Sequence, residues 1–279
     1  PTKNTCQTVL MDLSLSTPLA SRLLWLDEVG STNTHLVAAV NSSDGAEWPD
    51  FSVVATDNQV AGKGRLGRDW SAPAGASLAV SVLLRPETPA GRPLPPESLS
   101  WMGLLAGLAM TRACNSVLPE GKKASIKWPN DVLIGEKKVC GVLSELVVTP
   151  QGLALVVGTG VNIALAEADL PVPTATSLVL EGAQTTLDAV LAAYLTEFSR
   201  ITKVFTSAAG NVRSSGLLEQ VTELCNTIGK SVRVELPSGE SPVGTAIGLS
   251  ENGSLIVEMS NCAEPLVVSA GDVTHLRVI

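Results

Sequence analysis

The sequence is poor in the residues that common catalytic triads and metal sites require. It holds 2 histidines in 279 residues, His35 and His275, which lie far apart in the chain. This spacing leaves little material for a Ser-His-Asp or Cys-His triad. The sequence also lacks a G-x-S-x-G nucleophile elbow and a histidine pair with metal-ligand spacing. An enzyme with this sequence is therefore expected to work by positioning and electrostatics.

Cysteine pairs and long apolar runs are missing as well. The 5 cysteines are scattered and include no C-x-x-C pair, which indicates neither a disulfide framework nor a zinc site. They are Cys6, Cys114, Cys140, Cys225 and Cys262. The longest apolar run, 101–110, is too short to cross a bilayer, and the N-terminal residues lack the apolar core of a secretion signal. We expect a cytoplasmic protein with no membrane partner.

Positive charge is scarce over the chain as a whole. The sequence has 19 Lys and Arg against 27 Asp and Glu, a formal net charge of -8, and a pI of about 4.9. General nucleic-acid binding needs a broad basic face, so we expect no nucleic-acid partner. The content of 45% apolar and 16% charged residues is typical of a folded globular protein.

One short segment nevertheless concentrates cations among glycines. In QVAGKGRLGRDW, residues 59–70, the glycines and basic residues are Gly62, Lys63, Gly64, Arg65, Gly67 and Arg68. Glycines let backbone N–H groups converge on an anion, and the basic side chains add charge-assisted hydrogen bonds. The segment matches neither the Walker A pattern nor the dinucleotide fingerprint. A phosphate cradle and a solvated hairpin whose glycines serve its turns both fit this pattern.

Two further polar stretches allow both a structural and a binding interpretation. STNT at 31–34 precedes a helix pattern, where Ser and Thr cap helices, although a helix N-terminus also receives polar ligand groups. KWPND at 127–131 forms either a tight turn or a cluster of polar side chains with assigned partners. KKVCG at 137–141 follows it, and its lysines belong to the same site or to a solvated turn.

Two glycines interrupt an apolar strand pattern near the middle of the chain. GTGVNI at 158–163 contains Gly158 and Gly160, and glycine weakens a strand unless a ligand or another backbone comes close. Asn162 would offer an amide beside that close approach. The alternative is a β-bulge.

The patterns divide the chain into a lead-in at 1–20, a larger unit at 21–228 and a β-rich tail at 229–279. The lead-in has no sustained periodicity and is expected to be loosely packed, without room for a helix-turn-helix module. Strand patterns alternate with helix patterns near Ser31, at 98–118 with a Ser at the cap, and at 186–206. The tail has short strands between turn residues, which is typical of a small β-barrel.

Taken in chain order, STN, Q-x-A-G-[basic]-G-R-x-G-R-x-W, KWPND, K-x-x-G and G-x-G-x-N resemble the motifs of the biotin protein ligases (biotin–[acetyl-CoA-carboxylase] ligases). The resemblance implies an α+β fold, with a mixed β-sheet flanked by helices as in class II aminoacyl-tRNA synthetase catalytic domains. It also implies a small C-terminal SH3-like β-barrel. The chain resembles the form without an N-terminal DNA-binding domain, so we expect no repressor activity.

The family resemblance implies a two-step reaction. Biotin attacks the α-phosphate of ATP to give biotinyl-5′-AMP and pyrophosphate, and an acceptor lysine then attacks the activated carbonyl. Mg²⁺ and cationic side chains would offset the repulsion between the biotin carboxylate and the triphosphate. The implied acceptor is the biotin carboxyl carrier domain of an acetyl-CoA or acyl-CoA carboxylase, or of pyruvate carboxylase. The enzyme would be a monomer or a ligand-linked homodimer.

The resemblance also implies roles for individual residues. Those implied in catalysis are Lys138, Arg65 and Asp131, with Asp131 also at Mg²⁺. Those implied at biotin are Ser31, Thr32, Asn33, Gln59, Gly62, Arg65, Lys138 and Gly141. Those implied at the nucleotide are Lys63, Arg65, Arg68, Trp70, Asn130, Asp131 and Asn162. Family members usually carry Arg at the position of Lys63, which keeps the charge here but lacks the planar fork of a guanidinium.

Two other functions stay open from the sequence. One is a lipoate ligase or octanoyl transferase of the same fold, which also acylates a carrier lysine. The other is a non-catalytic biotin-binding sensor that keeps the adenylate pocket. The basic glycine segment and KWPND favour biotin over lipoate, and the joint presence of Lys138, Arg65 and Asp131 favours an enzyme over a sensor.

Overall fold

Runs of valine, leucine and isoleucine form two β-sheets and a short hairpin in the computed structural model, which describes residues 11–236, 238–260, 262–269 and 272–275. The strands are β1 (Arg22–Trp25), β2 (Ser52–Thr56), β3 (Gly62–Lys63), β4 (Asp69–Trp70), β5 (Ser77–Leu84), β6 (Ala124–Lys127), β7 (Asp131–Ile134), β8 (Lys137–Thr149), β9 (Gly152–Asn162), β10 (Ser231–Glu235), β11 (Val243–Leu249), β12 (Leu255–Glu258), β13 (Leu266–Val268) and β14 (Asp272–His275). The helices are α1 (Thr32–Val40), α2 (Met102–Val117), α3 (Leu187–Ser207) and α4 (Leu217–Leu224). Cys6 lies outside the described residues.

The larger sheet has seven strands in the order β1-β2-β5-β9-β8-β7-β6. Strand β1 pairs with β2 in parallel, and the other neighbours are antiparallel, so the predicted mixed sheet is confirmed. Every residue of β5 is buried, because helices cover both faces of the sheet. Helix α1 packs on one face through Leu36 and Val40, and α2 and α3 pack against each other on the other face.

Helix α1 begins where the sequence predicts, with Ser31 as its N-cap, and α3 confirms the predicted helix at 186–206. The helix predicted at 98–118 differs at its start. A 3₁₀ turn occupies Pro96–Trp101, and α2 begins only at Met102. The Ser98 hydroxyl donates to the Pro95 carbonyl at 2.7 Å instead of capping α2, because the preceding prolines favour a tight turn. Helix α4 was not predicted from the sequence.

The expectation of a loosely packed lead-in is wrong for its described part. Leu13 joins the main core, and Ser16 is fully buried. The backbone N–H groups of Leu15 and Ser16 donate to the carboxylate of Asp188 in the first turn of α3, and the Ser16 hydroxyl donates to the same carboxylate. A buried carboxylate needs such donors, which the sequence pattern of 1–20 alone does not reveal.

The smaller sheet is antiparallel, with five strands in the order β13-β12-β11-β10-β14, which agrees with the predicted SH3-like tail. Its inward residues, such as Val232 and Val257, belong to the same core cluster as α2. The turn between β11 and β12 accepts hydrogen bonds from the indoles of Trp101 and Trp128, at 2.6 Å and 2.9 Å. The two sheets therefore share one core and a polar seam. The domain boundaries at 20/21 and 228/229 stay a prediction.

Within the part of the chain that the structure describes, no helix is long and apolar enough to cross a membrane.

We expect Thr111→Val to leave the free energy of unfolding unchanged or to raise it by up to about 1 kcal/mol. The Thr111 hydroxyl is buried in α2 without a hydrogen-bond partner among the described residues, so valine removes an unsatisfied group at nearly constant volume. Denaturant unfolding measures the change. The matched variant Thr159→Val should instead lose about 1–3 kcal/mol, because it leaves the buried Tyr194 hydroxyl, 3.0 Å from Thr159 Oγ1, unpaired. Equal effects of the two substitutions would contradict the conclusion that the Thr111 hydroxyl is unsatisfied and the Thr159 hydroxyl is paired.

Candidate functional site

A pocket of about 300 Å³ opens where β8 and β9 meet the basic hairpin, the turn after β6 and the C-terminal sheet. Most residues singled out in the sequence line it. They are Ser31, Thr32, Asn33, Gln59, Lys63, Arg65, Arg68, Trp70, Asn130, Asp131, Lys138 and Gly141. The fold thus brings together segments that are more than a hundred residues apart in the chain.

One end of the pocket is a network of short polar side chains at the start of α1. The backbone N–H of Thr32 donates to Gln59 Oε1 at 2.9 Å, and the Thr32 hydroxyl donates to the same oxygen at 3.2 Å. Asn33 Nδ2 donates to Glu145 Oε1 at 2.6 Å, while Asn33 Oδ1 accepts from the Ser81 hydroxyl at 2.6 Å. These amides and hydroxyls are therefore held in fixed orientations, in addition to the capping role of Ser31.

The glycines of β9 make room for two side chains of this same protein. A Cβ on Gly158 would overlap the amide of Asn33, and a Cβ on Gly160 would lie 2.6 Å from the Trp70 indole. The pairing of β9 with β5 and β8 runs without a register shift through both glycines. The bulge interpretation is therefore wrong. The close approach expected from a ligand or backbone is made by side chains.

The basic glycine segment is both a hairpin and a wall of the pocket. Strands β3 and β4 pair antiparallel, and the Gly64 N–H donates to the Arg68 carbonyl at 2.7 Å. At the tip, Leu66 and Gly67 adopt positive φ angles of 56° and 72°. A leucine rarely adopts this conformation, and Leu66 is also 71% exposed. The sequence left open a phosphate cradle or a solvated hairpin, and this geometry is compatible with both.

An ion pair in the pocket joins Lys138 Nζ to Asp131 Oδ1 at 2.7 Å. Both backbone groups of Lys138 are also fixed, since its N–H donates to the Thr174 carbonyl and its carbonyl accepts from the Thr176 N–H. Gly141 lies beneath this side chain, where a Cβ would approach the ammonium to 3.1 Å. Lys138 therefore has both a defined backbone position and room for its ammonium group.

Among the residues that the structure describes, cations outnumber carboxylates along the pocket wall. Five basic residues line it, Lys63, Arg65, Arg68, Lys127 and Lys138, and three acidic ones, Asp69, Asp131 and Glu235. Burial lowers the pKa of Lys127, and the nearby Lys138 and Arg68 lower it further, against the opposite influence of Asp131. Burial also lowers the pKa of Arg65. A bound polyanion would relieve this repulsion, so the pocket is suited to phosphate groups.

Trp70 forms the floor between these cations and the sheet. Its indole packs on Gly160 and Gly141, and Lys138 Nζ lies 5.7 Å from the ring centroid. Its buried Nε1 has no hydrogen-bond partner among the described residues. The implied place of Trp70 at the nucleotide stays a prediction.

Gly62 and Asn162 do not line the pocket. A Cβ on Gly62 would overlap the Gln59 amide and the Trp70 carbonyl, so this glycine permits close packing of the hairpin. Asn162 is 4% exposed, and its Nδ2 donates to the Thr176 carbonyl at 2.9 Å. Through Thr176, Asn162 supports the segment that holds Lys138. Its predicted place at the nucleotide stays a prediction.

Several residues of the site were missed from the sequence. Lys127 was visible as the first residue of KWPND, and Ser81 as a polar residue inside the apolar strand β5, but neither was assigned to a ligand. Glu145 carries no local signal, because only the pairing of β8 with its neighbours places it beside Asn33. Glu235 and Thr274 come from the C-terminal sheet, whose docking no local pattern reveals.

Two family descriptions match this chain. Residues 26–162 match the biotin/lipoate A/B protein ligase family, and residues 227–276 match the biotin protein ligase C-terminal domain. The chain is 35% identical over 259 residues to the biotin–[acetyl-CoA-carboxylase] ligase of Mycobacterium tuberculosis, an alignment that covers 90% of this chain and 87% of that protein. It is 27% identical over 245 residues to the bifunctional ligase/repressor BirA of Escherichia coli, over 86% of this chain and 70% of that protein.

Solved structures agree with these sequence matches. The biotin protein ligase of Aquifex aeolicus in complex with biotin and ATP superimposes with a TM-score of 0.70 at 27% sequence identity. The superposition covers 92% of this chain and 100% of that chain. The biotin protein ligase of Leishmania major in complex with biotin superimposes with a TM-score of 0.58 at 25% identity, over 93% of this chain and 99% of that chain.

We expect Gly160→Ala to lower the free energy of unfolding by about 1–3 kcal/mol, because its methyl group would displace the Trp70 indole from the pocket floor. Gly107→Ala is the matched control, since a Cβ there meets no atom within 4 Å and replaces a glycine inside α2. It should raise the free energy of unfolding by up to about 1 kcal/mol. Denaturant unfolding of both variants measures the difference. A neutral Gly160→Ala would show that the indole does not depend on this glycine.

Proposed function

Because the chain belongs to the biotin protein ligase family, we propose that its pocket activates biotin with ATP and transfers the biotinyl group to a lysine of a carboxylase carrier domain. Biotin and ATP are the substrates. The observation that carries the proposal is the Lys138–Asp131 pair at 2.7 Å, set among basic side chains and next to the ordered polar end at α1. The lipoate, octanoate and sensor alternatives are not favoured, since the relatives reported above are named as biotin ligases.

We assign the polar end of the pocket to the ring system of biotin. Thr32, Asn33 and Gln59 present hydroxyl and amide groups that suit a ureido ring, and their mutual hydrogen bonds fix their orientation before a ligand arrives. Ser31, Gly62 and the other residues implied at biotin are kept as predictions.

The cationic end is assigned to the reacting carboxylate and phosphates. A carboxylate that approaches the α-phosphate of ATP meets strong repulsion, which fixed positive charge offsets as the transition state forms. Lys138 is held by both backbone groups and is the residue proposed to stabilise that charge. The biotin carboxylate oxygen forms a bond to the α-phosphorus, and the bond to pyrophosphate breaks.

The remaining basic residues surround the phosphates in this proposal. Arg65 Nη1 donates to Asn130 Oδ1 at 3.3 Å, which ties the hairpin to the turn after β6. Arg68 and Lys63 belong to the same hairpin, and Lys127 faces them from the turn. We propose that Arg65 retains the adenylate, with Trp70 and Asn162 on the adenine side.

Magnesium fits the donor chemistry of this pocket as part of Mg²⁺–ATP. Among the described residues, no three or more His, Cys, Asp or Glu side chains form a group that could hold a metal ion. Mg²⁺ bound with a nucleotide does not need such a group, because one or two carboxylates join phosphate oxygens and waters. Asp131 would supply the carboxylate, with Asn130 adjacent. When bound, the ion would neutralise part of the triphosphate charge.

In the second step, the amine of the acceptor lysine attacks the biotinyl carbonyl. An amide bond forms, the bond from the carbonyl to the phosphate oxygen of AMP breaks, and the amine loses a proton to solvent. Biotinyl-5′-AMP is a mixed anhydride and is already activated, so we propose no covalent enzyme intermediate. A carboxylase carrier domain is the partner. The particular carboxylase, a cytoplasmic location and a monomeric or ligand-linked dimeric state are kept as predictions.

We expect Lys138→Ala to lower the rate of biotin transfer at least about a hundredfold, because it removes the fixed charge at the reacting groups. The assay follows radiolabelled biotin onto a purified biotin-carrier domain with Mg²⁺–ATP. Lys137→Ala is the matched control, since Lys137 is the exposed neighbour on β8 and does not line the pocket. Labelling by wild type and Lys137→Ala, but not by Lys138→Ala, supports the proposal. No labelling by wild type that still binds biotin would favour a sensor.

Arg65→Gly should separate the two steps. If Arg65 holds the adenylate, this variant still releases pyrophosphate but leaks biotinyl-5′-AMP into solution. Chromatography of the free adenylate, together with a pyrophosphate assay, measures this ratio. An equal loss of adenylate formation and transfer would show that Arg65 has a different role.

A further inference from the structure

The turn between β6 and β7 carries Lys127, Asn130 and Asp131 and is anchored at both ends. At the Asn130 end, its side-chain amide donates to the Val142 carbonyl at 2.7 Å, and its backbone carbonyl accepts from the Val142 N–H at 2.9 Å. These bonds lie within the larger sheet. They fix one end of the turn against β8.

The other end is held from outside the larger sheet. The backbone N–H of Trp128 donates to the hydroxyl of Thr227 at 3.0 Å, and Thr227 is fully buried in the segment that leads into the C-terminal sheet. The indole of Trp128 donates to the Gly253 carbonyl at 2.9 Å, and the Ile126 carbonyl accepts from the Asn226 N–H at 2.7 Å. Of the three residues that hold this end from outside, Gly253 and Asn226 contribute backbone groups and Thr227 contributes a side chain, so Thr227 is the one a substitution can test.

The Thr227 hydroxyl has a second polar neighbour. Thr227 Oγ1 lies 3.1 Å from His275 Nε2, and Lys230 Nζ lies 3.5 Å from the other ring nitrogen, Nδ1. Among the described residues, the charged groups that face the ring are Lys230 and Glu136, which form an ion pair at 2.8 Å, with Lys127 further away. Burial, Lys230 and Lys127 lower the pKa of His275 to about 4, so the ring is neutral near pH 7 and forms a neutral hydrogen bond with the Thr227 hydroxyl.

We propose that Thr227 is a positioning residue for the nucleotide step, acting through the Trp128 backbone on Lys127 and Asp131, with His275 orienting its hydroxyl. Lys127 and Asp131 face each other across the β6–β7 pairing, so movement at Trp128 shifts both charges relative to Lys138. The inference rests on the proposed function, because it takes Mg²⁺–ATP as the ligand of these charges. A displacement of this kind lowers the rate of the nucleotide step without removing any group that touches the substrate.

The inference also predicts which substrate is affected. The polar end assigned to biotin is held by bonds among Thr32, Gln59, Ser81 and Asn33, which belong to α1, β5 and the segment before the hairpin. Loss of the Thr227 hydroxyl should therefore leave biotin binding intact. A general loss of folding would instead weaken the binding of both ATP and biotin.

The test compares Thr227→Val, which removes the hydroxyl at nearly constant volume, with Thr227→Ser, which keeps it. Pyrophosphate release is measured against Mg²⁺–ATP, and biotin binding is measured separately by titration calorimetry. Thr227→Val should raise KM for ATP or lower kcat by about tenfold to a hundredfold, with the Kd for biotin unchanged. Thr227→Ser should restore values close to wild type. Thr202→Val is a control for loss of a buried hydroxyl that bonds only within α3.

A second pair covers the possibility that Thr227→Val does not fold. His275→Gln keeps a polar group beside the Thr227 hydroxyl, whereas His275→Leu removes it and leaves the bond from Trp128 in place. A larger rise in KM for ATP with His275→Leu than with His275→Gln supports the proposal. The proposal is overturned if the binding of ATP and of biotin is weakened equally, or if Thr227→Val has wild-type kinetics. Failure of the wild type to release pyrophosphate with biotin would overturn the proposed function first, and this inference with it.

Discussion

The ion pair between Lys138 and Asp131 is the contact on which the rest of the pocket depends. It places a carboxylate among the basic side chains of the described pocket, so the cations can be held close together before any anion is bound. Both partners are set by backbone pairing, since Asp131 begins β7 opposite Gly141 and Lys138 is bonded to the segment 174–176. The charge is thus organised by the sheet, and the proposed binding of a triphosphate would need little reorganisation of these groups.

Two glycines of β9, which have no side chains, determine the shape of this pocket as much as the charges do. Gly158 admits the Asn33 amide and Gly160 admits the Trp70 indole, both in a strand with regular pairing on each side. The two glycines therefore convert a central strand into a floor that carries functional side chains from α1 and the hairpin. Because protein interiors are close-packed, a single methyl group at either position would move these groups.

The C-terminal sheet completes the site and does not merely follow it in the chain. Its residues Glu235 and Thr274 reach the pocket, and the segment before it accepts the Trp128 N–H through Thr227. Its core is continuous with that of α2. The geometry of the turn at 127–131 is consequently shared between the two sheets, which explains why a polar seam with Glu136, Lys230 and His275 lies at their junction.

The sequence by itself determined the β-rich tail and, through motifs in neighbouring residues, the resemblance to a family, and that resemblance implied the mixed sheet and most of the residues that line the pocket. Ser31 before a helix pattern, the basic glycine segment and KWPND carry their chemistry in neighbouring residues. Only the tertiary structure decided that Gly158 and Gly160 accommodate side chains, that Asn162 donates to Thr176, and that Ser16 donates to the buried carboxylate of Asp188. The same holds for Thr227 at Trp128, nearly a hundred residues away. Such contacts join distant segments through packing and hydrogen bonds, and no periodicity or spacing within one segment encodes them.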